Sequence, residues 1–333
     1  MDKYLQNDPW TIIEESFHSN HQLDAELIFS LGNDQIIQFG NFEEYYSGET
    51  NHGSYIADNY LLKNTEISNP KPENSLNIER INALPNWIGI IVRLNDEKLD
   101  LSVWEVIDFK HVLNMKEGFL ERSFEAISVH GHHIQVSVKR FLSMAETEVG
   151  AIYYSVKSLN FAGRISFMPI IDADLRDSNL NDHEPTWNVL QSKTQRDVSH
   201  LWTQTRRTDF HVCSALTYEL YKNNELLNLI ATKIEKEKVA GFSTGTDVKT
   251  GDTLYVIKYV AILNSLNHPM KELTELACNL AKEAKQKGWN KLFEEHATVW
   301  AEKWKQTITI DEGDIDDQRA NRYELFRSYQ GLK

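Results

Sequence analysis

Ile134-Gln135-Val136-Ser137-Val138 decides the fold, together with Ile152-Tyr153-Tyr154-Ser155-Val156 a short way on. Residues two apart lie on the same side of a β-strand. Each stretch therefore turns one apolar row towards a core. Short segments rich in Val, Ile, Tyr, Phe and Thr continue in this manner from Trp87 to Ile262. Turn formers separate them, at Lys116-Glu117-Gly118, His130-Gly131-His132, Asn160-Phe161-Ala162-Gly163 and Thr250-Gly251-Asp252. Links of hairpin length with no helical period between them predict antiparallel sheets packed as a sandwich, not βαβ units.

The period changes after residue 266. Asn267-His268-Pro269 predicts a helix start, since proline suits the first helical position. Leu273, Leu276, Leu280 and Ala284 follow at helical spacing, Lys285 and Lys287 suit the last turn, and Gly288 suits the stop. A second helix is expected from about Trp289 to Lys305, with Leu292, Phe293, His296, Trp300 and Trp304 on its apolar face. Ile308-Thr309-Ile310 reads as extended and Asp311-Glu312-Gly313-Asp314 as an acidic turn. A third helix is expected from Asp316 towards Gln330, carrying Tyr323, Phe326 and Tyr329 on one side. That stripe needs a partner surface. Either it folds back on the first two helices, or these residues are the front part of something longer. Lys63 to Asn77, polar with two prolines, reads as an exposed loop.

Composition narrows the function. The 333 residues carry 35 Lys+Arg against 49 Asp+Glu, a net charge of -14. So acidic a chain lacks the cationic surface that nucleic acids and anionic membranes require. The apolar run Trp87 to Val92 is far short of the ~20 residues that span a bilayer. The first ten residues are polar and mixed in charge, with no signal-peptide core. Cys213 and Cys278 have neither metal-type spacing nor the density of a disulfide scaffold, so a reducing cytoplasm is the expected compartment.

Several chemistries lack their motifs: there is no GxxxxGK[ST], no GxGxxG after a strand, no HExxH and no GxSxG. Gly241-Phe242-Ser243-Thr244-Gly245 lacks the P-loop lysine and reads as a surface turn. His130, His132 and His133 either bind a metal or decorate a hairpin tip. The tip is the simpler reading, so no metal is expected. Of the eight tryptophans, Trp104, Trp187 and Trp202 lie on or beside predicted strands, and Trp300 and Trp304 are one helical turn apart. Core packing is their usual fate, and a sugar platform is the alternative for one or two. Acids pair at Glu14/Glu15, Glu43/Glu44 and Glu294/Glu295. Adjacent acids point to different faces of a strand or helix. They are thus poor candidates for the two opposed carboxyls that glycosidases hold ~5–9.5 Å apart, and most read as solvated.

A wider set of short segments is more telling. Leu31-Gly32-Asn33, Asn41-Phe42-Glu43-Glu44-Tyr45-Tyr46, Gly53-Ser54-Tyr55-Ile56-Ala57 and Leu84-Pro85-Asn86-Trp87-Ile88-Gly89 come first. Leu113-Asn114-Met115-Lys116-Glu117-Gly118, Arg140-Phe141-Leu142-Ser143-Met144 and Asp317-Gln318-Arg319-Ala320-Asn321-Arg322-Tyr323 follow. In this order and spacing, from about Trp10 to Gln330, the set resembles the N-terminal half of glycoside hydrolase family 65, and within it the maltose phosphorylases. The resemblance implies a mainly β fold with C-terminal helices. A two-sheet antiparallel β-supersandwich of the galactose-mutarotase type would occupy residues 1–266 and a helical linker residues 267–306. Residues 307–333 would be the entry segment and first helix of an (α/α)6 barrel that is otherwise missing.

The resemblance also implies a reaction for the complete enzyme: inverting phosphorolysis of an α-linked glucose disaccharide, maltose, to β-glucose 1-phosphate and glucose. Inorganic phosphate is the co-substrate and no cofactor is needed. Phosphate is already anionic, so it needs no carboxylate base to deprotonate it. In the family the general acid and the phosphate-binding residues lie in the barrel, so no catalytic residue is expected in this chain. The barrel would be its partner, and a homodimer is a further expectation carried over from relatives. Phe39, Asn41, Phe42, Glu43 and Glu44 form the loop that in relatives extends towards the mouth of the active site. Glu43 and Glu44 would either meet ligand there or order the loop and its docking. The chain departs from the family pattern at Asp34, where Asn-Gly is common, and at Phe39, where an arginine is common. The other readings are a free-standing carbohydrate-binding or assembly module, or part of a trehalose or kojibiose phosphorylase or a hydrolase.

Overall fold

A computed structural model describes residues 8–57, 83–174, 187–205, 209–306 and 314–331. The expected loop at Lys63–Asn77 and the extended segment at Ile308–Ile310 lie outside the described residues. The chain opens with β1 (Thr11–Glu14), helix α1 (Gln22–Ile28) and the small strands β2 (Leu31–Gly32), β3 (Ile36–Gln38) and β4 (Ser54–Ile56). Next come β5 (Ile90–Leu94), β6 (Glu97–Lys98), β7 (Glu105–Asn114), β8 (Phe119–Ile127), β9 (His133–Leu142), β10 (Val149–Ser158) and β11 (Gly163–Asp172). The remaining strands are β12 (Trp187–Thr194), β13 (Ser199–Thr205), β14 (His211–Lys222), β15 (Glu225–Leu226), β16 (Thr232–Glu235), β17 (Val239–Val248) and β18 (Thr253–Asn264). Helices α2 (Leu273–Lys305) and α3 (Ile315–Tyr329) close the chain.

The strands form a ten-stranded sheet in the order β1-β7-β8-β9-β10-β18-β14-β13-β12, with β15 beside β14, and a five-stranded sheet in the order β16-β17-β11-β5-β6. Strands β2, β3 and β4 make a third, small sheet. Neighbours pair antiparallel throughout, as the hairpin-length turns require. Ile134, Val136 and Val138 of β9 and Ile152, Tyr154 and Val156 of β10 are buried, as their alternation predicts. They face Ile90 and Val92 of β5 and Ile165 and Phe167 of β11 within one core, and Tyr154 meets Phe167 across it at 5.9 Å.

Lys258 of β18 lies in this inner row and is completely buried. Its ammonium donates to the carbonyls of Trp87 (2.5 Å), Gly89 (3.0 Å) and Ile170 (2.7 Å). Three donors meet three acceptors, so the side chain pins the large sheet to the backbone of the smaller one. Burial pushes its pKa well below the ordinary lysine value.

The outer face of the central strands is covered as well. Helix α2 lies across it, with Ala277, Cys278 and Ala281 on Cys213, Ala215 and Ala261, and Leu292 near Phe119 and Phe141. The closest face of its first half is thus made of small residues, which let helix and sheet approach, and Leu276 and Leu280 flank it. The helix is two rods joined at Gly288, whose φ of 77° favours glycine, at the predicted stop. It starts later than Pro269 predicts. Residues 269–272 form a turn closed by Glu272 N–H donating to the Pro269 carbonyl, and regular helix begins at Leu273.

Helix α3 takes its cap from Asp314, which accepts from the Asp317 N–H, and folds back on α2. Phe326 stacks on Trp300 at 4.8 Å, Tyr329 meets Trp304 at 5.6 Å, and the Tyr323 hydroxyl donates to the Ile28 carbonyl. The stripe therefore has a partner inside the chain.

One expectation fails outright. Gly241 to Gly245 is not a surface turn but the middle of β17. A Cβ at Gly241 would sit 2.3 Å from the Pro169 carbonyl oxygen, and one at Gly245 2.2 Å from that of Ile165. These glycines are the close approach of β17 to β11, a use of glycine that single-sequence turn rules miss.

Candidate functional site

The inner face of β8 and β9 breaks its own pattern. Arg122 and Arg140 occupy positions in the apolar rows Leu120-Arg122-Phe124 and Val136-Val138-Arg140. Both are buried, at 3% and 1% exposure. The loop from Phe39 to Tyr46 has no regular structure, and it brings two carboxylates to these guanidiniums.

Arg122 donates to both oxygens of Glu44, at 2.6 Å each, and to Glu43 at 2.8 Å. Arg140 donates to the other oxygen of Glu43 at 2.5 Å, and to the backbone carbonyls of Asn41 (2.7 Å) and Phe39 (2.6 Å). The Glu43 carbonyl accepts from Ile90 N–H at the head of β5. Two positive and two negative charges thus cancel in a dry site. Their burial is offset by forked, charge-assisted hydrogen bonds.

Burial alone would raise the Glu43 carboxyl, but Arg140 and Arg122 outweigh it and hold the group below the usual range. Burial lowers Arg140 and Glu43 opposes that, whereas Arg122 sits above the usual arginine value because both carboxylates face it against the effect of burial. Burial, then the charge of Glu44, keeps the Tyr154 phenol well above its ordinary range.

The five loop residues named from the sequence share this one feature. Phe42 is buried against Phe17 at 5.8 Å, and the Arg122 guanidinium lies 4.4 Å over its ring. Asn41 is half-buried and donates to Thr50 Oγ1 and the Asn51 carbonyl. Phe39 is half-buried with its ring 5.1 Å from Tyr55. Glu43 and Glu44 do not diverge, as neighbours on a strand or helix would. In an irregular loop neither period applies, and both reach Arg122. Arg122 and Arg140 were absent from the sequence candidates. Their signal was a charge in an inward register position.

At the edge of this cluster Glu14 is buried too, not solvated, and lies 3.6 Å from His111. Burial raises Glu14 to about 7. His111 is held well below 6.5 by burial and then by Arg122 and Arg140, so its neutral ring cannot balance a Glu14 carboxylate.

Chemistry elsewhere is muted. Cys278 Sγ lies 3.4 Å from His200 Nδ1, whose Nε2 meets Gln191 Oε1 at 2.9 Å, the order of a nucleophile, base and orienter. Burial pushes the Cys278 thiol up to about 11 and His200 below its ordinary value, so the thiol stays protonated. Of the three histidines around Gly131, His133 pairs with Glu125 at 2.8 Å, while His132 packs on Phe161 at 4.7 Å with the His130 ring 6.3 Å from it. Among the described residues no group of three or more His, Cys, Asp or Glu is placed to hold a metal ion, and no helix is long and apolar enough to cross a membrane. Trp87, Trp104, Trp187 and Trp300 are core residues.

Residues 12–303 match the family described as "Glycosyl hydrolase family 65, N-terminal domain". The chain is 27% identical over 335 residues to a maltose phosphorylase of Bacillus subtilis (strain 168), covering 98% of this chain and 42% of that protein. It is 26% identical over 341 residues to an alpha,alpha-trehalose phosphorylase of Thermoanaerobacter brockii, covering 97% and 43%. Among solved structures, a putative kojibiose phosphorylase from the human microbiome superposes with a TM-score of 0.81 at 21% identity, over 98% of this chain and 42% of that one. That likeness bears on the fold. The chain spans about two fifths of the length of these relatives.

Proposed function

The chain belongs to the N-terminal domain family of glycosyl hydrolase family 65, and from that premise we propose that it is the non-catalytic sandwich and linker portion of a disaccharide phosphorylase. The complete protein would carry out inverting phosphorolysis of maltose to β-glucose 1-phosphate and glucose, with inorganic phosphate as co-substrate and no cofactor. Its chemistry would reside in the missing barrel. Relatives named for maltose and for trehalose match at 27% and 26% identity, so trehalose is the alternative substrate.

One observation carries the reading: the paired loop carboxylates, Glu43 and Glu44, are engaged by Arg122 and Arg140. A general acid must arrive protonated and face its substrate. Glu43 is buried and held ionised, and both oxygens of Glu44 accept from one guanidinium. The cluster suits a different task, fixing the path of the loop at Phe39, Asn41 and Phe42. In this proposal that loop shapes the sugar pocket or docks on the barrel. The test is to incubate the 333-residue chain with maltose and phosphate and to assay glucose 1-phosphate. No turnover is expected, and phosphate-dependent release would overturn the assignment.

A further inference from the structure

On the outer face of the large sheet, where α2 breaks at Gly288, a cleft of about 740 Å³ opens between sheet and helix. Its floor is a terrace of tyrosines from three neighbouring strands. Tyr221 of β14 stands directly opposite Tyr255 of β18, their rings stacked at 4.8 Å, and Tyr153 of β10 lies 5.0 Å from Tyr255. Trp289, the first residue after the break, walls the cleft 6.2 Å from Tyr153. All four rings are half-buried, so part of each stays in water. The volume lies in the range of small-molecule sites.

The charges around the rings select the ligand. The Lys139 ammonium rests over the rings of Phe119 (3.6 Å) and Phe293 (4.1 Å). Lys285 donates to the Tyr218 carbonyl, and Lys287 pairs with Glu295 at 2.8 Å. The acids Glu121 and Glu219 line the cleft beside these three lysines, so neither sign of charge dominates it. Glu219 accepts from the Tyr259 hydroxyl at 2.8 Å and keeps acceptor capacity on its carboxylate, and Ser137 adds a hydroxyl on the floor. The floor is a sheet face and the wall a helix, with no strand edge in the lining, so a peptide could not add as a strand. A net charge of -14 disfavours a nucleic acid. Flat aromatic faces ringed by both hydrogen-bond donors and acceptors fit a molecule with apolar C–H faces and many hydroxyls.

We propose that this cleft is a binding site for a neutral oligosaccharide, separate from the loop at 39–46. The probe is maltotriose, titrated into the 333-residue chain by calorimetry, with glucose 6-phosphate as the charged comparison. Maltotriose should bind in the millimolar range or tighter. Tyr255→Ala and Tyr221→Ala should each weaken it about tenfold, the loss of one ring contact and its buried area. Ser137→Trp, which fills the cleft and leaves the tyrosines in place, should abolish binding and serves if an alanine variant fails to fold. Binding unaffected by these changes, no maltotriose binding at all, or tighter binding of glucose 6-phosphate would overturn the proposal. So would self-association of the chain through the tyrosines that sugar does not compete with.

Discussion

Replacing Arg122 with methionine keeps a long apolar stem and deletes the charge on which both loop carboxylates converge. The folded chain loses hydrogen bonds of 2.6, 2.6 and 2.8 Å. Two carboxylates then share one guanidinium, that of Arg140, which contacts Glu43. The site changes from neutral to one uncompensated negative charge at a position where Glu43 and Glu44 are each only 4% exposed. Breaking a buried pair on one side costs about 3–5 kcal/mol, mostly through the stranded partner. Arg122→Met should therefore destabilise the chain by about 4 kcal/mol. At a urea slope of about 3 kcal/mol/M, as suits a chain of this length, the unfolding midpoint would fall by about 1.3 M. Adding Glu44→Leu removes the stranded charge and should recover about 2 kcal/mol, the coupling expected of residues in one network. Urea unfolding followed by circular dichroism reads both variants. A loss under about 1 kcal/mol, the size of an exposed ion pair, would refute a dry cluster, and so would a double variant no more stable than Arg122→Met.

Lys258→Met leaves the carbonyls of Trp87, Gly89 and Ile170 buried without their shared donor and should cost about 3 kcal/mol or more, read as a lower unfolding midpoint. His296 accepts from Met144 N–H at Nδ1 and donates from Nε2 to the Gly118 carbonyl, and burial lowers it to about 4 from an ordinary 6.5. Its folded pKa is depressed, so its contribution of about 3 kcal/mol is complete above pH 6.5 and fades as pH falls towards 4. Glu14, raised to about 7, has the opposite slope over part of that window. The comparison that isolates His296 is thus the chain against His296→Gln at each pH, and their stability difference should shrink on acidification. Asp34 sits at φ 68°, in the left-handed region that favours glycine. Asp34→Gly should be about 1 kcal/mol more stable than Asp34→Ala, by urea midpoint.

Much of this fold was legible locally. The alternation at 134–138 and 152–156, the turns at 116–118, 130–132, 160–163 and 250–252, and the helix break at Gly288 all follow from periods of two and 3.6 and from glycine. Those are properties of a residue and its near neighbours, so one sequence suffices to read them. The glycines of β17 were misread as a turn, and the small residues under α2 drew no reading at all, because the role of both is set by what lies against them.

The amino-acid order alone determined an acidic, antiparallel two-sheet chain ending in helices, because backbone geometry and apolar spacing act over a few residues. Tertiary structure alone decided that Glu43 and Glu44 meet Arg122 and Arg140 across 78 to 97 residues of chain, that α3 returns to Trp300, and that tyrosines from three strands line one cleft. A charge or an aromatic ring has no fixed meaning in sequence. Its energy depends on whether water, an opposite charge or another ring surrounds it, and only the folded chain makes that choice.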